Sequence, residues 1–416
     1  MPEDENIPLY LSETLTFIPY IMKRIRMGLL PRIILAILSG VALGHVLPAW
    51  SVRAFVTFNG VFSEFLGFVI PLIIVGLVTP AIADIGKGAG KMLLVTVLVA
   101  YGATLFAGFL SYFTGVTVFP HLIEPGASFG TIAESRTPAP YFSVPIPPVM
   151  SVMTALILAF TLGLGLAALS SQALKRVVDD FKDIIAATIA TVILPLLPIY
   201  IFGIFLNMTH TGQVWSILMV FIKIIGIIFA LHILLLVLQY VVAGLFVRRN
   251  PFTLLGRMLP AYFTALGTQS SAATIPVTLA QTLKNGVSES IAGFVIPLCA
   301  TIHLSGSTLK IVACALALMM MQGMPHDFPL FAGFIFMLGI TMVAAPGVPG
   351  GAIMASLGIL GSILGFDEEA QALMIALYIA MDSFGTACNV TGDGAIALII
   401  DKVMGKRMDG TSPSAG

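Results

Sequence analysis

Two long uncharged segments near the C-terminus, each broken at its centre, constrain the fold of this chain more than any other feature. Residues 258–283 carry no charged side chain and read GTQSSAATIP at 267–276, while the equally uncharged residues 328–366 read APGVPGG at 345–351. Proline, glycine and hydroxyl side chains weaken a helix at such points. Unpaired backbone cannot face lipid, so we predict two re-entrant hairpins whose tips line a cavity. Two ordinary kinked spanning helices are the alternative.

The remaining apolar segments are typical of membrane-spanning helices. Of the 416 residues, 58% are hydrophobic and 10% are charged, whereas about a quarter are charged in soluble proteins. Because a spanning helix needs about 20 apolar residues, we expect an all-α polytopic membrane protein with eight transmembrane helices and two re-entrant hairpins. Paired interruptions of this kind indicate an inverted-repeat transporter. The expected spans before the first hairpin are 33–50, 56–83, 92–117, 148–174, 184–207 and 214–246.

The basic residues predict how the chain is oriented. With the N-terminus inside, all but four of the 20 lysine and arginine residues fall on the cytoplasmic side, in keeping with the positive-inside rule. The exceptions are Arg53, Arg136, Lys223 and Lys310. We therefore expect a multi-pass protein of a plasma membrane (prokaryotic inner membrane), surrounded by lipid, with both termini in the cytoplasm.

Net charge and cysteine content exclude other partners. The 20 acidic residues balance the 20 basic ones, so no nucleic-acid partner is expected. Cys299, Cys314 and Cys388 lie in apolar stretches, and three isolated thiols are neither a disulfide framework nor a metal cluster. We expect no cofactor other than a co-transported ion.

Carboxylates inside the last apolar segment mark a candidate site. Asp382, Thr386, Asn389 and Asp393 lie at i, i+4, i+7 and i+11, so an α-helix places them on one face. Ionisable residues within membrane segments are costly and are functional candidates by default. The stripe predicts a polar cavity beside this helix. Hydrogen-bonded structural contacts between helices are the alternative.

A further break lies in the preceding span, where residues 302–307 read IHLSGS. Unwound carbonyls there can coordinate a hard cation, with Asp393 supplying the negative charge. His303 also fits a satisfied core histidine. Lys310 fits either an ion-paired structural lysine or a fixed positive charge that replaces a transported cation.

Together these motifs resemble one transporter family. SSAATIP (270–276), VIPLCATIHLSGS (295–307), GVPG (347–350) and NVTGD (389–393) are similar to motifs of the dicarboxylate/amino acid:cation symporter family, the glutamate and neutral amino acid transporters. The resemblance implies a homotrimer in which a transport domain moves, like an elevator, against a scaffold. It implies a cytoplasmic segment (1–32), a mainly scaffold region (33–250, with its third and sixth helices joining the transport domain), a transport core (251–405) and a cytoplasmic tail (406–416). The core contains hairpin 1 (about 251–285), helix 7 (about 288–322), hairpin 2 (about 328–366) and helix 8 (about 370–403).

The resemblance also assigns roles to single residues. Asp382 matches the aspartate that holds a substrate amino group, which implies an amino acid substrate. Asn389 matches the ligand of the α-carboxylate, helped by backbone N–H groups near Ser271, Val348 and Gly350. The other positions expected around the substrate are Ser270, Ser307, Gly385 and Thr386.

Two departures from the family pattern favour a neutral amino acid. Members that carry acidic substrates place an arginine on the last helix or in the first hairpin, where this chain has Gly385 and Gln269. A side-chain carboxylate would lack a bidentate partner in a low dielectric. We therefore expect Asp382 to stand unopposed by a cation, and the space at Gly385 to accept a neutral side chain of appreciable size.

Coupling to cations is expected to be reduced. The family's usual Asn-Met-Asp-Gly-Thr corresponds to HLSGS at 303–307, so a thioether and a sodium-binding carboxylate are missing. One sodium site is expected, with ligands from His303, Gly306, Asn389 and Asp393, and the candidate coupling residues are His303, Ser305 and Lys310. Coupling to a proton carried by Asp382, His303 or Lys310, or uncoupled exchange, is the alternative.

Other classes fit the sequence less well, and no enzyme activity is expected. Asp382 and Asp393 are 11 residues apart, about 16 Å along a helix, which is too far for a protease dyad that shares a proton. The sequence contains no HExxH motif. A channel would need a ring of selectivity residues. A symporter of dicarboxylates without an amino group stays open.

Overall fold

The computed structural model describes residues 29–86, 91–123, 138–169, 172–212, 214–345 and 349–405, which are mainly helical and contain no β-strand. Six helical segments within these ranges are long and apolar enough to cross a membrane: Ala49–Pro80, Lys91–His121, Gln172–His210, Leu218–Val247, Glu289–Met321 and Asp382–Met404. The chain is therefore an all-helical, multi-pass membrane protein.

The first half consists of helices that are 16 to 38 residues long. They are α1 (Leu29–Gly44), α2 (Ala49–Gly86), α3 (Lys91–Val118), α4 (Val152–Ala168), α5 (Gln172–Thr188), α6 (Leu194–His210) and α7 (Val214–Val247). A π-helical turn, Ile189–Ile193, joins α5 to α6 without a break. Large apolar side chains such as Leu38, Trp50 and Leu245 are exposed, as expected for surfaces that face lipid.

The second half is built from shorter helices in pairs. Two of the pairs are helical hairpins whose members pack against each other: α8 (Pro251–Thr268) with α9 (Ser271–Lys284), and α12 (Phe328–Ala344) with α13 (Gly351–Leu364). The other two pairs are interrupted helices: α10 (Glu289–Ile302) with α11 (Ser305–Met321), and α14 (Glu368–Ala380) with α15 (Asp382–Ile400). A π-helical turn, Asp401–Gly405, follows α15.

Local sequence explains where these helices begin. The Asn250 side chain accepts the N–H groups of Phe252 and Thr253, and Pro251 occupies the first turn of α8, where a missing N–H costs nothing. Asp327 and Asp367 cap α12 and α14 in the same way. These caps fix the starting points of the helices that surround the site.

Helix α15 lies at the centre of the second half. It packs against α7, α8, α9, α10 and α11, and 89% of the apolar window within Asp382–Met404 is buried, against 33% for Lys91–His121. Its polar residues therefore face protein rather than lipid.

The start of α15 differs from the sequence-based expectation. We treated 370–403 as one helix, but the structure interrupts it at Met381, whose backbone leaves helical geometry and whose N–H bonds to Tyr378 O. Asp382 is consequently the first residue of α15 rather than a mid-helix residue. A carboxylate is favoured there because a helix N-terminus carries partial positive charge.

Candidate functional site

Two interrupted helices meet at the candidate site. The α10–α11 break at His303 and Leu304 lies where the sequence predicted a break, and it packs against α15. The close approach depends on Gly306, because a Cβ there would lie 2.6 Å from Gly385 O and 2.7 Å from Cys388 Cβ. Backbone ends from both breaks are thus brought together in the protein interior.

A buried ion pair occupies the first part of this site. Lys310 Nζ on α11 lies 2.9 Å from Asp382 Oδ1, with the two side chains 0% and 4% exposed. The ammonium also lies 3.4 Å from the centre of the Tyr378 ring, which is a cation–π contact. Weaker contacts join it to Tyr378 O (3.4 Å) and Met381 O (3.5 Å).

This pair corrects two expectations. We expected Asp382 to stand without an opposing cation, and Lys310 opposes it. We also expected open space at Gly385, but a Cβ there would lie 2.8 Å from Lys310 Nζ and 3.0 Å from its Cε. Lys310 lies on a different helix from Asp382 and far from it in sequence, so the sequence alone did not predict the pairing. Of the two alternatives for Lys310, the ion-paired lysine describes this conformation.

The second hairpin closes on the same carboxylate. Gly350 N–H donates to Asp382 Oδ2 at 2.9 Å, and Gly350 has a φ of +74°, which favours glycine. Its N–H, expected to bind a substrate carboxylate, is therefore engaged by Asp382 in this conformation. Val348, assigned to the same role, lies outside the described residues.

The predicted carboxylate ligand Asn389 belongs to a hydrogen-bond chain. Its Oδ1 accepts from Gly306 N–H (2.8 Å) and Ser307 N–H (3.4 Å), and its Nδ2 donates to Ser307 Oγ (3.1 Å). Ser307 Oγ in turn lies 3.0 Å from Tyr378 Oη. The chain runs from α15 through α11 to α14 and ends at the ring that carries the Lys310 ammonium.

The first hairpin reaches α15 through its tip. Gln269, with a left-handed φ of 53°, donates from Nε2 to Ser383 Oγ at 2.8 Å. Ser270 caps α9 by accepting from Ala273 N–H, and Ser271 is buried at the start of that helix. Thr386 is buried on α15. Hairpin 1 is therefore positioned beside the predicted substrate ligands.

A second buried pair lies further along α15. His303 Nδ1, at the α10–α11 break, lies 2.8 Å from Asp393 Oδ1, with side chains 0% and 1% exposed. Among the described residues, Asp393 Oδ2 and His303 Nε2 have no hydrogen-bond partner. His303 therefore contributes two features: its backbone is unwound at the break, and its imidazole ring contacts the Asp393 carboxyl group.

Polar residues of α7 complete this second region. Gln239 Nε2 donates to Ser305 Oγ (3.2 Å), and His232 Nε2 lies 3.0 Å from Gly306 O. A Cβ on Gly392 would lie 2.7 Å from both Gln239 Oε1 and His303 Cε1, so these groups are close neighbours. Sequence reasoning missed His232 and Gln239, although their spacing of seven places both on one face of a largely apolar span.

The oxygen atoms of the second region suit a hard cation that is transported as a substrate. No cluster of three or more His, Cys, Asp and Glu suitable for a metal occurs in the described ranges. The buried oxygens Asp393 Oδ2 and Gln239 Oε1 lack partners there, and oxygen ligands suit sodium. Of the other expected ligands, Gly306 O already contacts His232, and Asn389 Oδ1 already accepts two N–H groups.

A cavity of about 220 Å³ borders this second region between α3, α7 and α15. Gln239 and Gly392 are among its lining residues, and the others are apolar, including Val99, Phe106 and Ile396. The second pair is thus separated from a largely apolar space by one glutamine and one glycine.

Comparison with known proteins gives a consistent result over nearly the full chain. The profile of the sodium:dicarboxylate symporter family matches residues 29–403. The chain is 26% identical over 397 residues to the serine/threonine transporter SstT of Acinetobacter baumannii (strain ATCC 17978), covering 90% of this chain and 97% of that protein. It is also 26% identical over 398 residues to SstT of Acinetobacter baylyi, covering 91% and 98% of the two chains. This chain therefore belongs to the sodium:dicarboxylate symporter family.

Proposed function

We propose that this protein is a secondary active transporter that carries neutral amino acids across the membrane by symport. The observation that supports it most is a buried carboxylate, Asp382, at the start of a helix between the two hairpin tips. Gly350 of the second hairpin contacts Asp382 itself. Gln269 of the first hairpin contacts the adjacent Ser383. An amino group is the natural ligand of such an acid. The relatives named serine/threonine transporters support the same substrate class.

The charges at the site favour an uncharged side chain. The Lys310–Asp382 pair has no net charge, and neither Gly385 nor Gln269 supplies a guanidinium. An acidic amino acid would bring one extra negative charge into a region from which water is excluded, at a cost of several kcal/mol. A zwitterion with a neutral side chain adds none.

Reduced coupling to sodium is part of the proposal. The partnerless carboxylate oxygen of Asp393 can hold one such ion together with backbone carbonyls, and the family description names sodium. Proton coupling is the second candidate, favoured by the 2.8 Å contact between His303 and Asp393. Fewer ions than usual for the family are expected in either case, because Ser305 replaces a carboxylate.

Movement of the hairpin domain is proposed to carry the substrate. Among the described residues, hairpin 2 contacts Asp382 through one backbone N–H, that of Gly350, and opening of the hairpin would break this hydrogen bond. We propose that this hairpin is the outer gate, that the eight spanning helices and two re-entrant hairpins form a homotrimer, and that the core moves against the early helices as an elevator.

Uptake by the full chain in proteoliposomes tests the function. A panel of labelled amino acids and succinate is offered while sodium and proton gradients are imposed separately. We expect saturable uptake of a neutral amino acid driven by one of the gradients, and its loss in Asp382→Ala with assembly intact. Succinate uptake without amino acid uptake, or normal transport by Asp382→Ala, would overturn the proposal.

A further inference from the structure

We propose that Lys310 takes the place of the substrate's amino group in the empty transporter and becomes the partner of the substrate's α-carboxylate when an amino acid binds. The inference rests on the proposed function and adds a specificity-determining residue to it. Its starting point is the 2.9 Å pair between Lys310 Nζ and Asp382 Oδ1.

The pair already occupies the position that an amino group needs. The ammonium group of an amino acid and that of a lysine are chemically equivalent hydrogen-bond donors to a carboxylate. They therefore compete for Asp382 Oδ1. With Gly350 N–H on Oδ2, both oxygens of Asp382 are engaged. Substrate binding therefore has to displace Lys310, Gly350 or both.

A displaced Lys310 needs a new anionic partner. A lysine that is fully buried cannot be left unpaired, because an uncompensated buried charge is strongly unfavourable. The two carbonyls that contact Nζ at 3.4 and 3.5 Å are neutral and distant. The α-carboxylate of the entering amino acid is an anion that becomes available when Lys310 loses its contact with Asp382.

The surroundings permit this exchange. Because Gly385 has no side chain, the end of Lys310 packs directly against α15, where a Cβ would lie 2.8 Å from its Nζ. The Tyr378 ring beneath the ammonium links it, through Ser307, to Asn389, the expected carboxylate ligand. A carboxylate held by Asn389 and Ser307 therefore lies close to the tyrosine on which Lys310 rests.

The exchange keeps the site neutral throughout. In the empty site, Asp382 and Lys310 cancel, and in the loaded site, each is matched by one end of a zwitterion. The empty domain can therefore return across the membrane without an extra cation to neutralise Asp382. It follows that the site selects ligands that carry both an ammonium and a carboxylate group, since a ligand with only one of them leaves either Asp382 or Lys310 unpaired.

Half-ligands of serine test this selection directly. Counterflow of labelled L-serine is measured in proteoliposomes that contain the full chain, in competition with ethanolamine, which lacks the carboxylate, or with 3-hydroxypropionate, which lacks the amino group. We expect neither compound to inhibit the unmodified protein. In Lys310→Met, ethanolamine should become an inhibitor at least about tenfold more effective, and in Asp382→Asn, 3-hydroxypropionate should do so, because each variant frees one charge.

Controls separate this inference from a structural role. The Lys310→Met/Asp382→Asn double variant should be inhibited by neither compound, and Lys223→Met, which removes an exposed lysine of α7, should behave as the unmodified protein. If one single variant fails to fold, the other still gives its own answer, and ligand-dependent thermal shifts replace counterflow where transport is lost. Unchanged selectivity in both single variants would overturn the inference while serine transport stands. Failure of the unmodified protein to carry any amino acid would overturn the proposed function first.

Discussion

The two buried pairs on α15, Lys310–Asp382 and His303–Asp393, each join a basic side chain to an aspartate, but they differ in how many carboxylate oxygens have protein partners. At Asp382, both carboxylate oxygens have protein partners, Lys310 Nζ and Gly350 N. At Asp393, one oxygen contacts His303, while the other has no partner among the described residues. The first pair is closed on itself, and the second has an oxygen left to bind something else.

The difference indicates two ways in which a protein can stabilise a buried carboxylate within a membrane. A closed pair must be broken before a ligand binds, so it acts as a competitor that only a matching ligand displaces. An incomplete pair accepts an additional partner without losing the first. We therefore propose that the Asp382 region selects the substrate and that the Asp393 region binds the ion, and the changes that follow test that division.

Removal of Lys310 should have the largest effect. Lys310→Met leaves Asp382 buried without its ammonium, which costs about 3–5 kcal/mol, so we expect the melting temperature of the purified protein to fall by several degrees. The double variant with Asp382→Asn should recover most of this loss, because no lone charge remains. Equal melting temperatures for the single variant and the unmodified protein would contradict the closed pair.

Removal of Asp393 should act on coupling rather than on selection. Loss of a charged contact costs roughly 1.5–3 kcal/mol, so in Asp393→Asn we expect ion-driven accumulation of serine to fall by at least about tenfold. Discrimination against ethanolamine should stay unchanged. Asp401→Asn is the matched control, since Asp401 follows α15 and binds only Ser288 in the described part of the chain. Loss of selectivity in Asp393→Asn would contradict the division.

Replacement of His303 should identify the ion. His303→Asn removes the ring that faces Asp393 and restores the residue usual in the family at this position. If sodium is the driving ion, we expect its half-saturating concentration to fall several-fold, because Asp393 Oδ1 is released. If a proton drives transport, uptake driven by a proton gradient should be lost. An unchanged response to both gradients would remove His303 from the coupling mechanism.

The smallest effect is expected from one hydroxyl. Tyr378→Phe keeps the ring beneath Lys310 but removes the contact with Ser307, worth about 0.5–1.5 kcal/mol. We expect serine affinity to fall by about two- to tenfold with selectivity retained. Tyr200→Phe removes hydroxyl contacts with Ser63 and with Glu368 O at the start of α14, which lies ten residues before Tyr378, and it should leave affinity unchanged. The reverse pattern would place substrate binding elsewhere.

Sequence reasoning reached local features better than pairings. The breaks at residues 302–307 and 345–351 could be located because glycine, proline and serine disturb helices wherever they occur. The Met381 interruption could not, since its residue type gives no such signal. The pairing of Lys310 with Asp382 joins residues 72 apart, and it depends on how α11 packs against α15.

The most direct measurement is an experimental structure of the protein with and without bound L-serine. We predict that Lys310 Nζ moves from 2.9 Å to beyond hydrogen-bond reach of Asp382 and towards the serine carboxylate, while the serine amino group contacts Asp382. A serine-bound structure in which the Lys310–Asp382 contact is unchanged, with the amino group held by other residues, would contradict the central claim.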